Sequence, residues 1–521
     1  MLRFHLSVLS LFLILASCSE SSPKETPPTT APLPNIVVFY VDDLGYGDVG
    51  CYGATSVKTP NIDALAARGV RFTDGHCAAA TCTPSRYALL TGRYAFRNEA
   101  AVLPGDAPLI IDTSFVTLPK MLRRAGYATG VVGKWHLGLG SGQVDWNKTV
   151  SPGPEAVGFD YNFLLPATGD RVPTVYLEQG KVVGLEADDP LQVSYSGPIN
   201  DEPTGISNPE LLRVPADEQH AKSINNGVSR IGYQTGGKAA MWVDEDFPDV
   251  FTQKANQFIA QHKDQPFFLY FPFHDIHVPR LPHPRFAGSS TMGPRGDAIA
   301  QVDWMTGAIV AELERQGVLD NTLIIFSSDN GPVLNDGYSD EAVALLGEHQ
   351  PGGPFSGGKY SAFEAGTRVP TIVAGAGVRQ VNGGVSPAVL NQIDLLASLA
   401  DLVDVPLPAG QAIDSENHLD AWLGHTASGR EEMIQEAYTL ALRQGDWKYI
   451  APTRPGVGDW IIKNKGNATG MSTEPQLYNL AADPSEDNNL ALEQPDRVTT
   501  MRARLLELVG TDKTRLLLIE E

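Results

Sequence analysis

The 521-residue chain predicts an α/β fold: a large, mostly parallel sheet sandwiched by helices, then a smaller C-terminal α+β subdomain containing a short antiparallel sheet. Three observations lead there. Asn35 to Val41, Pro266 to Phe273 and Thr322 to Ser328 are unbroken apolar, β-branched or aromatic runs, the pattern of strands covered on both faces. Stretches with apolar residues at helical spacing lie between them, as crossover connections require. Beyond about Gly429 the texture changes to short strands and a hairpin, and the length suits one large and one small domain, because single cores stop growing near 250 to 300 residues.

Taken in order, the N-terminus reads as an export signal. Arg3 precedes the apolar run Leu6 to Leu15, which is too short to span a bilayer. Leu15-Ala16-Ser17-Cys18 resembles a bacterial lipoprotein cleavage box, with Cys18 as the lipidated first residue; plain secretion and an uncleaved anchor are the alternatives. Residues 1–18 are then the signal peptide and 19–34, rich in Ser, Thr and Pro, an extended tether. The expectation is a periplasmic or outer-membrane-anchored protein that meets the membrane only through its lipid. Residues 35–428 form the main domain and 429–521 the C-terminal subdomain.

The strand Asn35 to Val41 ends at Asp42-Asp43, carboxylates at the position where open α/β sheets bind ligands, although such a pair also suits a solvated turn. Asn61 to Gly69 and Thr117 to Ala125 read as helices ended by glycine. Ala128 to Val132 is a short strand leading to Lys134 and His136. The strand Pro266 to Phe273 leads to His274 and His277, and histidine is a natural proton donor near neutral pH. Ala298 to Gly317 is a helix, and the strand Thr322 to Ser328 ends at Asp329-Asn330-Gly331. Gly357-Gly358-Lys359 lacks the spacing of a nucleotide-binding loop and suits a lysine that reaches an anion. Asn391 to Leu402 reads as a helix, Tyr438 to Ile450 as a hairpin turning at Gly445-Asp446, Gln476 to Asn479 as a strand and Asp496 to Gly510 as a terminal helix.

The formal charge of −22 argues against a nucleic-acid partner and confines anion binding to a dedicated pocket. With 42% hydrophobic and 19% charged residues the composition is that of a loop-rich globular chain. Cys82-Thr83-Pro84-Ser85-Arg86 presents a cysteine on a loop in an electropositive setting that lowers a thiol pKa; a buried cysteine beside a helix start fits the same residues. Cys51 and Cys77 can form a disulfide or remain free thiols.

Together these motifs resemble the formylglycine-dependent type I sulfatases of the alkaline phosphatase superfamily, over nearly the whole mature chain and in the family's order. They are the Cys82 pentapeptide with Thr91-Gly92-Arg93, Asp42-Asp43, Gly133 to Gly138, His277-Val278-Pro279, Asp329-Asn330-Gly331, and Gly358-Lys359 with Glu364 and Arg368. The resemblance implies an alkaline phosphatase-like fold and oxidation of Cys82 to formylglycine by a maturation enzyme. It implies one divalent cation, Ca2+ rather than Mg2+, held by Asp42, Asp43, Asp329, Asn330 and the modified Cys82, since all-oxygen ligation suits a hard metal. Lys134 and Lys359 would bind sulfate, Arg86 and His136 would position the hydrated aldehyde, Asp329 is a candidate to take its proton, and His277 would protonate the leaving oxygen. Of the hydrated aldehyde's two hydroxyls, one would attack sulfur and expel the alcohol, and the other would then expel sulfate and restore the aldehyde, a second step for which a thiol has no group. Within the family the chain looks most like galactose or N-acetylgalactosamine 6-sulfatases, acting on a sulfated carbohydrate. Asp170, Arg171, His220, Asn225 and Arg230 lie between the core motifs, where substrate loops are inserted, and are candidate sugar contacts. A phosphonate or phosphate ester hydrolase of the same superfamily, and a catalytically silent lipoprotein that binds sulfated glycans, are the alternatives.

Overall fold

All seven residues of β1 (Asn35–Val41) are buried, as an unbroken apolar strand in the middle of a sheet requires. The computed structural model describes residues 32–380, 382–511 and 514. The signal peptide, Cys18 and all but the end of the tether lie outside the described residues. In chain order β1 is followed by β2 (Gly69–His76), β3 (Ala128–Lys134), β4 (Tyr161–Leu165), β5 (Leu177–Glu178) and β6 (Lys181–Val182). A long insertion carries β7 (Gln192–Ser194), β8 (Ile224–Asn225), β9 (Val228–Ser229) and β10 (Tyr233–Thr235), paired as two small ribbons. The chain then returns to the main sheet with β11 (Phe267–Pro272), β12 (Thr322–Ser328), β13 (Thr371–Gly375) and β14 (Val385–Asn391).

The main sheet has ten strands in the order β14-β2-β13-β12-β1-β11-β3-β4-β5-β6. Its central strands β12, β1, β11, β3 and β4 are all parallel. β13 enters antiparallel between β12 and β2, and β5 and β6 finish the far edge antiparallel. The helices are α1 (Pro60–Arg68), α2 (Cys82–Thr91), α3 (Leu118–Arg124), α4 (Phe247–His262), α5 (Gly293–Arg315), α6 (Leu395–Leu402), α7 (Leu419–Trp422), α8 (Asp459–Lys465) and α9 (Pro495–Val509). Alternate strand residues, among them Val37, Phe39, Leu269, Phe271 and Phe326, pack against α1, α4 and α5 on one face. On the opposite face lie α2, α3 and α6, where the Tyr40 hydroxyl donates to Gln392 at 2.5 Å and the Arg86 guanidinium lies over the Tyr40 ring.

Most predicted elements appear within a few residues of their expected ends. α5 starts five residues earlier than the periodicity suggests, with Pro294 in its first turn. The stretch predicted as one helix from Asn391 divides in two: Asn391 ends β14, its side chain accepts from Ile393 N at 3.1 Å, and α6 begins only at Leu395. Cys51 and Cys77 are free thiols.

The C-terminal sheet is antiparallel, β15 (Glu432–Glu436), β16 (Leu440–Gln444), β17 (Trp447–Ile450) and β18 (Gln476–Asn479) in that order. Gly445-Asp446 turns the hairpin as expected. A buried ionic network joins this sheet to the main domain. Arg443 donates to both oxygens of Asp74, at 2.6 and 2.7 Å, and Lys448 reaches Glu364 at 3.1 Å. His76 bonds Asp74 at 2.7 Å, and Arg368 lies 3.2 Å from Glu364. Glu364 and Arg368 thus belong to the joint between the two parts of the chain. Arg443→Met leaves part of the buried Asp74 charge uncompensated, so urea unfolding is expected to show a loss of about 3–5 kcal/mol.

Candidate active site

The pairing register builds the site. Val41 lies opposite Ser328, so the chain leaves β1 and β12 side by side and brings Asp42 next to Asp329. Asp42, Asp43, Asp329 and Asn330 are all completely buried. Asp43 adopts a left-handed backbone with φ 59°, a conformation that clusters at functional sites in non-glycine residues. Asn330 Nδ2 donates to Asp43 Oδ1 at 2.7 Å, and Asp43 N donates to Asp329 Oδ1 at 3.3 Å. Arg86 holds Asp329 Oδ2 through Nε at 2.9 Å and Nη2 at 2.7 Å.

Lys134 and Lys359 come from opposite sides. Lys134 is the last residue of β3 and donates to Asp42 Oδ2. Gly133 just before it has φ 132°, and a Cβ there would lie 2.0 Å from Pro272 O on the neighbouring strand, so the close approach of β3 and β11 demands glycine. Lys359 Nζ lies 2.9 and 3.0 Å from the two carboxylate oxygens of Asp43.

Even with these cations the carboxylates are short of positive charge. Burial first, then the neighbouring Asp329, pushes the Asp42 carboxyl well above its ordinary range. Burial also raises Asp43, against the pull of Lys359. Asp42 Oδ1 and Asn330 Oδ1 are buried without a hydrogen-bond partner. Orphaned oxygens among buried carboxylates are the donor set of a hard divalent cation, and these residues fit one. A ring nitrogen of His277 also lies within 4.8 Å of the Asp42 and Asp43 oxygens.

Cys82 is the first residue of α2 and only 1% exposed, so it is not displayed on a loop. Burial pushes its thiol pKa up although Lys134 and Lys359 pull it down, the reverse of the lowering read from the pentapeptide. Its sulfur lies 3.3 Å from His136 Nδ1. His136 Nε2 lies 2.8 Å from Leu103 O, which can only accept, so Nε2 carries the ring proton and Nδ1 faces the thiol as an acceptor.

Cys82, His277 and Lys359 share a cavity of ≈ 200 Å³. His277 Nδ1 donates to Val278 O at 2.7 Å, which leaves Nε2 as its free nitrogen. Burial, then Lys359 and Lys134, hold His277 well below the ordinary histidine range. His274 is not at the cavity; it packs edge-on against Phe247 at 5.0 Å, and burial lowers it to about 3.

Of the five candidate sugar contacts, the structure brings three to this cavity. Asp170, Arg171 and His220 line one wall, with Arg171 Nη1 2.9 Å from both Asp170 oxygens and His220 Nε2 3.4 Å from Asp170 Oδ2. Against burial, the bonds to Asp170 and Asp217 raise His220. Asn225 and Arg230 are not at the cavity. Arg230 is fully buried, donates to Asp244 at 2.8 and 2.7 Å and to Gly169 O at 2.5 Å, and thereby supports the loop that carries Asp170. Asn225 sits in the β8–β9 ribbon with Nδ2 against Met241 Sδ.

The rest of the lining escaped the sequence reading. Asp336 lies 3.1 Å from Lys359 Nζ and 2.7 Å from Lys465 Nζ, and Tyr360, Tyr438, Trp460 and Lys465 also line the cavity. Lys465 and Trp460 belong to α8 of the C-terminal subdomain, whose sequence shows only an ordinary short helix.

A family model described as Sulfatase matches residues 34–405. The chain belongs to the sulfatase family. It is therefore a sulfuric ester hydrolase. An N-acetylgalactosamine-6-O-sulfatase of Bacteroides thetaiotaomicron is 49% identical to it over 503 residues, covering 96% of this sulfatase and 97% of that one. Human arylsulfatase A is 31% identical over 478 residues, covering 88% and 83% of the two chains. Among solved structures, a Bacteroides thetaiotaomicron 6S-sulfatase described with the metabolism of multiple glycosaminoglycans matches with a TM-score of 0.89 and 50% identity, covering 92% of this sulfatase and 99% of its own chain. The PsFucS1 sulfatase of Pseudoalteromonas sp. matches with a TM-score of 0.66 and 26% identity over 92% of each chain.

The carboxylate cluster makes cation binding measurable without turnover. Calcium added to metal-free sulfatase is expected to raise its melting temperature, by the equivalent of about 2.7 kcal/mol at a hundred times Kd, and Asp42→Asn should remove most of that rise. The pH dependence follows from the raised carboxyls. In metal-free protein, folded Asp42 and Asp43 keep protons where the unfolded chain has lost them, so their contribution to stability falls as pH rises from the ordinary carboxylate pKa through the raised one. Thermal melts of wild type and Asp42→Asn from pH 4 to 8 check this, the wild type losing more.

Proposed function

We propose that this sulfatase removes sulfate from carbohydrate, by exo-acting 6-O-desulfation of N-acetylgalactosamine or galactose units of a sulfated glycan. The observation that carries the reading is near-half identity, over 96% of the chain, to an N-acetylgalactosamine-6-O-sulfatase. The cavity supports it: Cys82 and His277 sit with Lys359 at one part of its lining, and the Asp170, Arg171 and His220 wall offers charged groups suited to sugar hydroxyls.

Asp42, Asp43, Asp329 and Asn330, with residue 82, would hold a calcium ion. When present, the cation supplies positive charge for the sulfate oxygens, and formylglycine made from Cys82 supplies an oxygen nucleophile. Lys134 and Lys359 bind the sulfate and offset charge that builds as the ester bond breaks. Arg86, through its two bonds to Asp329 Oδ2, fixes the carboxylate beside residue 82. His136 Nδ1 is the nearby acceptor for a proton from the residue 82 side chain, and its bond to Leu103 O holds that nitrogen unprotonated.

His277 is neutral at rest because it is buried beside two lysines. An anionic sulfate ester offsets those lysines, so substrate binding favours protonation at Nε2, and His277 then gives that proton to the leaving sugar oxygen. Asp170, in the same lining, favours the same charged state. A formylglycine-generating enzyme is the required partner in maturation, and the lipid on Cys18 would tether the protein at the periplasmic side or the outer membrane.

Desulfation of a panel of sulfated mono- and disaccharides tests the substrate, with N-acetylgalactosamine 6-sulfate expected among the best. A phosphate ester of the same alcohol that is cleaved faster would favour the phosphatase-like alternative. Cys82→Ala is expected to abolish turnover and keep the fold, checked by circular dichroism. His277→Ala should slow sugar sulfates far more than aryl sulfates, whose leaving groups need no proton; equal losses on both would overturn its role as the acid.

A further inference from the structure

The cavity around Cys82 has a floor and walls that are buried and a mouth that is not. Cys82 and Lys359 are 1% exposed, Asp170 2%, His277 and His220 3%, whereas Tyr438 is 42% and Trp460 50% exposed. Both aromatics line the same cavity as Cys82 and both come from the C-terminal subdomain. Among the described residues, Tyr438 and Trp460 are the two aromatic side chains among the exposed large hydrophobics; the other aromatics are buried or half-buried. Scattered exposed apolar residues need no explanation, but two exposed aromatics lining one polar cavity do.

Their setting holds them in place. Tyr438 packs against Tyr360 with ring centres 6.4 Å apart, and Tyr360 follows Lys359 directly. Lys465 Nζ lies 5.1 Å from the centre of the Trp460 ring while its charge is paired with Asp336. The same short helix thus presents one side chain to the charged interior and one to the opening. A cavity of ≈ 200 Å³ is smaller than those of about 300–1,000 Å³ that enclose drug-sized ligands, so it has room for little more than the sulfated sugar ring. Whatever is joined to that ring leaves through the exposed part of the lining, which Tyr438, Trp460 and Gln219 form.

Building on the carbohydrate reading above, we infer that Trp460 and Tyr438 form a stacking platform for the sugar adjoining the sulfated one. The apolar C–H face of a pyranose covers an aromatic ring, and the platform needs no charge on that neighbour. Trp460 is then a specificity residue: it adds affinity for a disaccharide and touches none of the reacting atoms.

The test compares kcat/KM for N-acetylgalactosamine 6-sulfate and for a disaccharide carrying it joined to a neutral sugar, using the mature wild type, Trp460→Ala and Trp460→Phe. The wild type is expected to favour the disaccharide by about three- to tenfold, the scale of one aromatic contact. Trp460→Ala should lose that preference through a raised KM for the disaccharide, with a smaller change on the monosaccharide. Trp460→Phe should keep most of it and covers the case in which the alanine variant fails to fold. A wild type without preference, an unchanged ratio in Trp460→Ala, or equal losses on both sugars would overturn the platform while leaving the sulfatase reading intact. No turnover of either sugar by the mature wild type would overturn the carbohydrate reading and the platform with it.

Discussion

The site rests on the cost of burying like charges together. Asp42, Asp43 and Asp329 meet at the ends of two adjacent parallel strands, completely out of water, and two unit charges 4 Å apart repel by about 4 kcal/mol even at an effective dielectric of 20. The register of β1 on β12 forces them together, so the surrounding chain must bring cations to them. Each comes from a different element: Lys134 from β3, Arg86 from α2 and Lys359 from the glycine-rich loop. The charge balance continues outward, because Lys359 leans on Asp336 and Asp336 on Lys465 of α8. Against burial, Asp336 and Asp43 hold Lys359 well above its ordinary pKa, so it stays an ammonium ion inside the protein. Sheet geometry therefore dictates electrostatics that reach as far as the C-terminal subdomain.

A second cluster uses the same residue types for another purpose. Asp74, His76 and Glu364 lie close enough together to suggest a metal site. There, however, Arg443 covers both oxygens of Asp74, and Lys448, Arg368 and Gln435 cover Glu364. No oxygen of Asp74 or Glu364 is left unpartnered among the described residues, whereas Asp42 and Asn330 each keep a bare one. That difference separates a joint between two sheets from a cluster with room for a cation. Residue type and spacing in the chain do not reveal it; partner atoms do.

The central strands were legible because β1, β11 and β12 are buried on both faces and so carry unbroken apolar runs. The strands toward the edge were not. β2 (GVRFTDGH) and β14 (VSPAVLN) mix polar residues, glycine and proline into their length, and β13 is a five-residue strand that joins the sheet against its neighbours' direction. The buried carboxylates and the lysines could be read since each follows a strand or glycine loop in a recognisable motif. Asp336, Trp460 and Lys465 could not, because tertiary packing alone delivers them. Arg230 shows the converse: an arginine in a substrate-loop segment whose charge is fully used by Asp244 behind the wall.

The burial of α2 has a consequence for timing. All ten of its residues, Cys82 at the head, are enclosed, and the helix ends at Gly92 with φ 62°, where a Cβ would press to 2.8 Å from Ala412. A second protein acting on the Cys82 side chain would need to touch it, and in the finished fold that side chain is enclosed. If Cys82 is converted as proposed above, the conversion would have to precede folding. Folding rate and modification rate would then compete, and the yield of active protein would be a kinetic quantity that faster folding lowers.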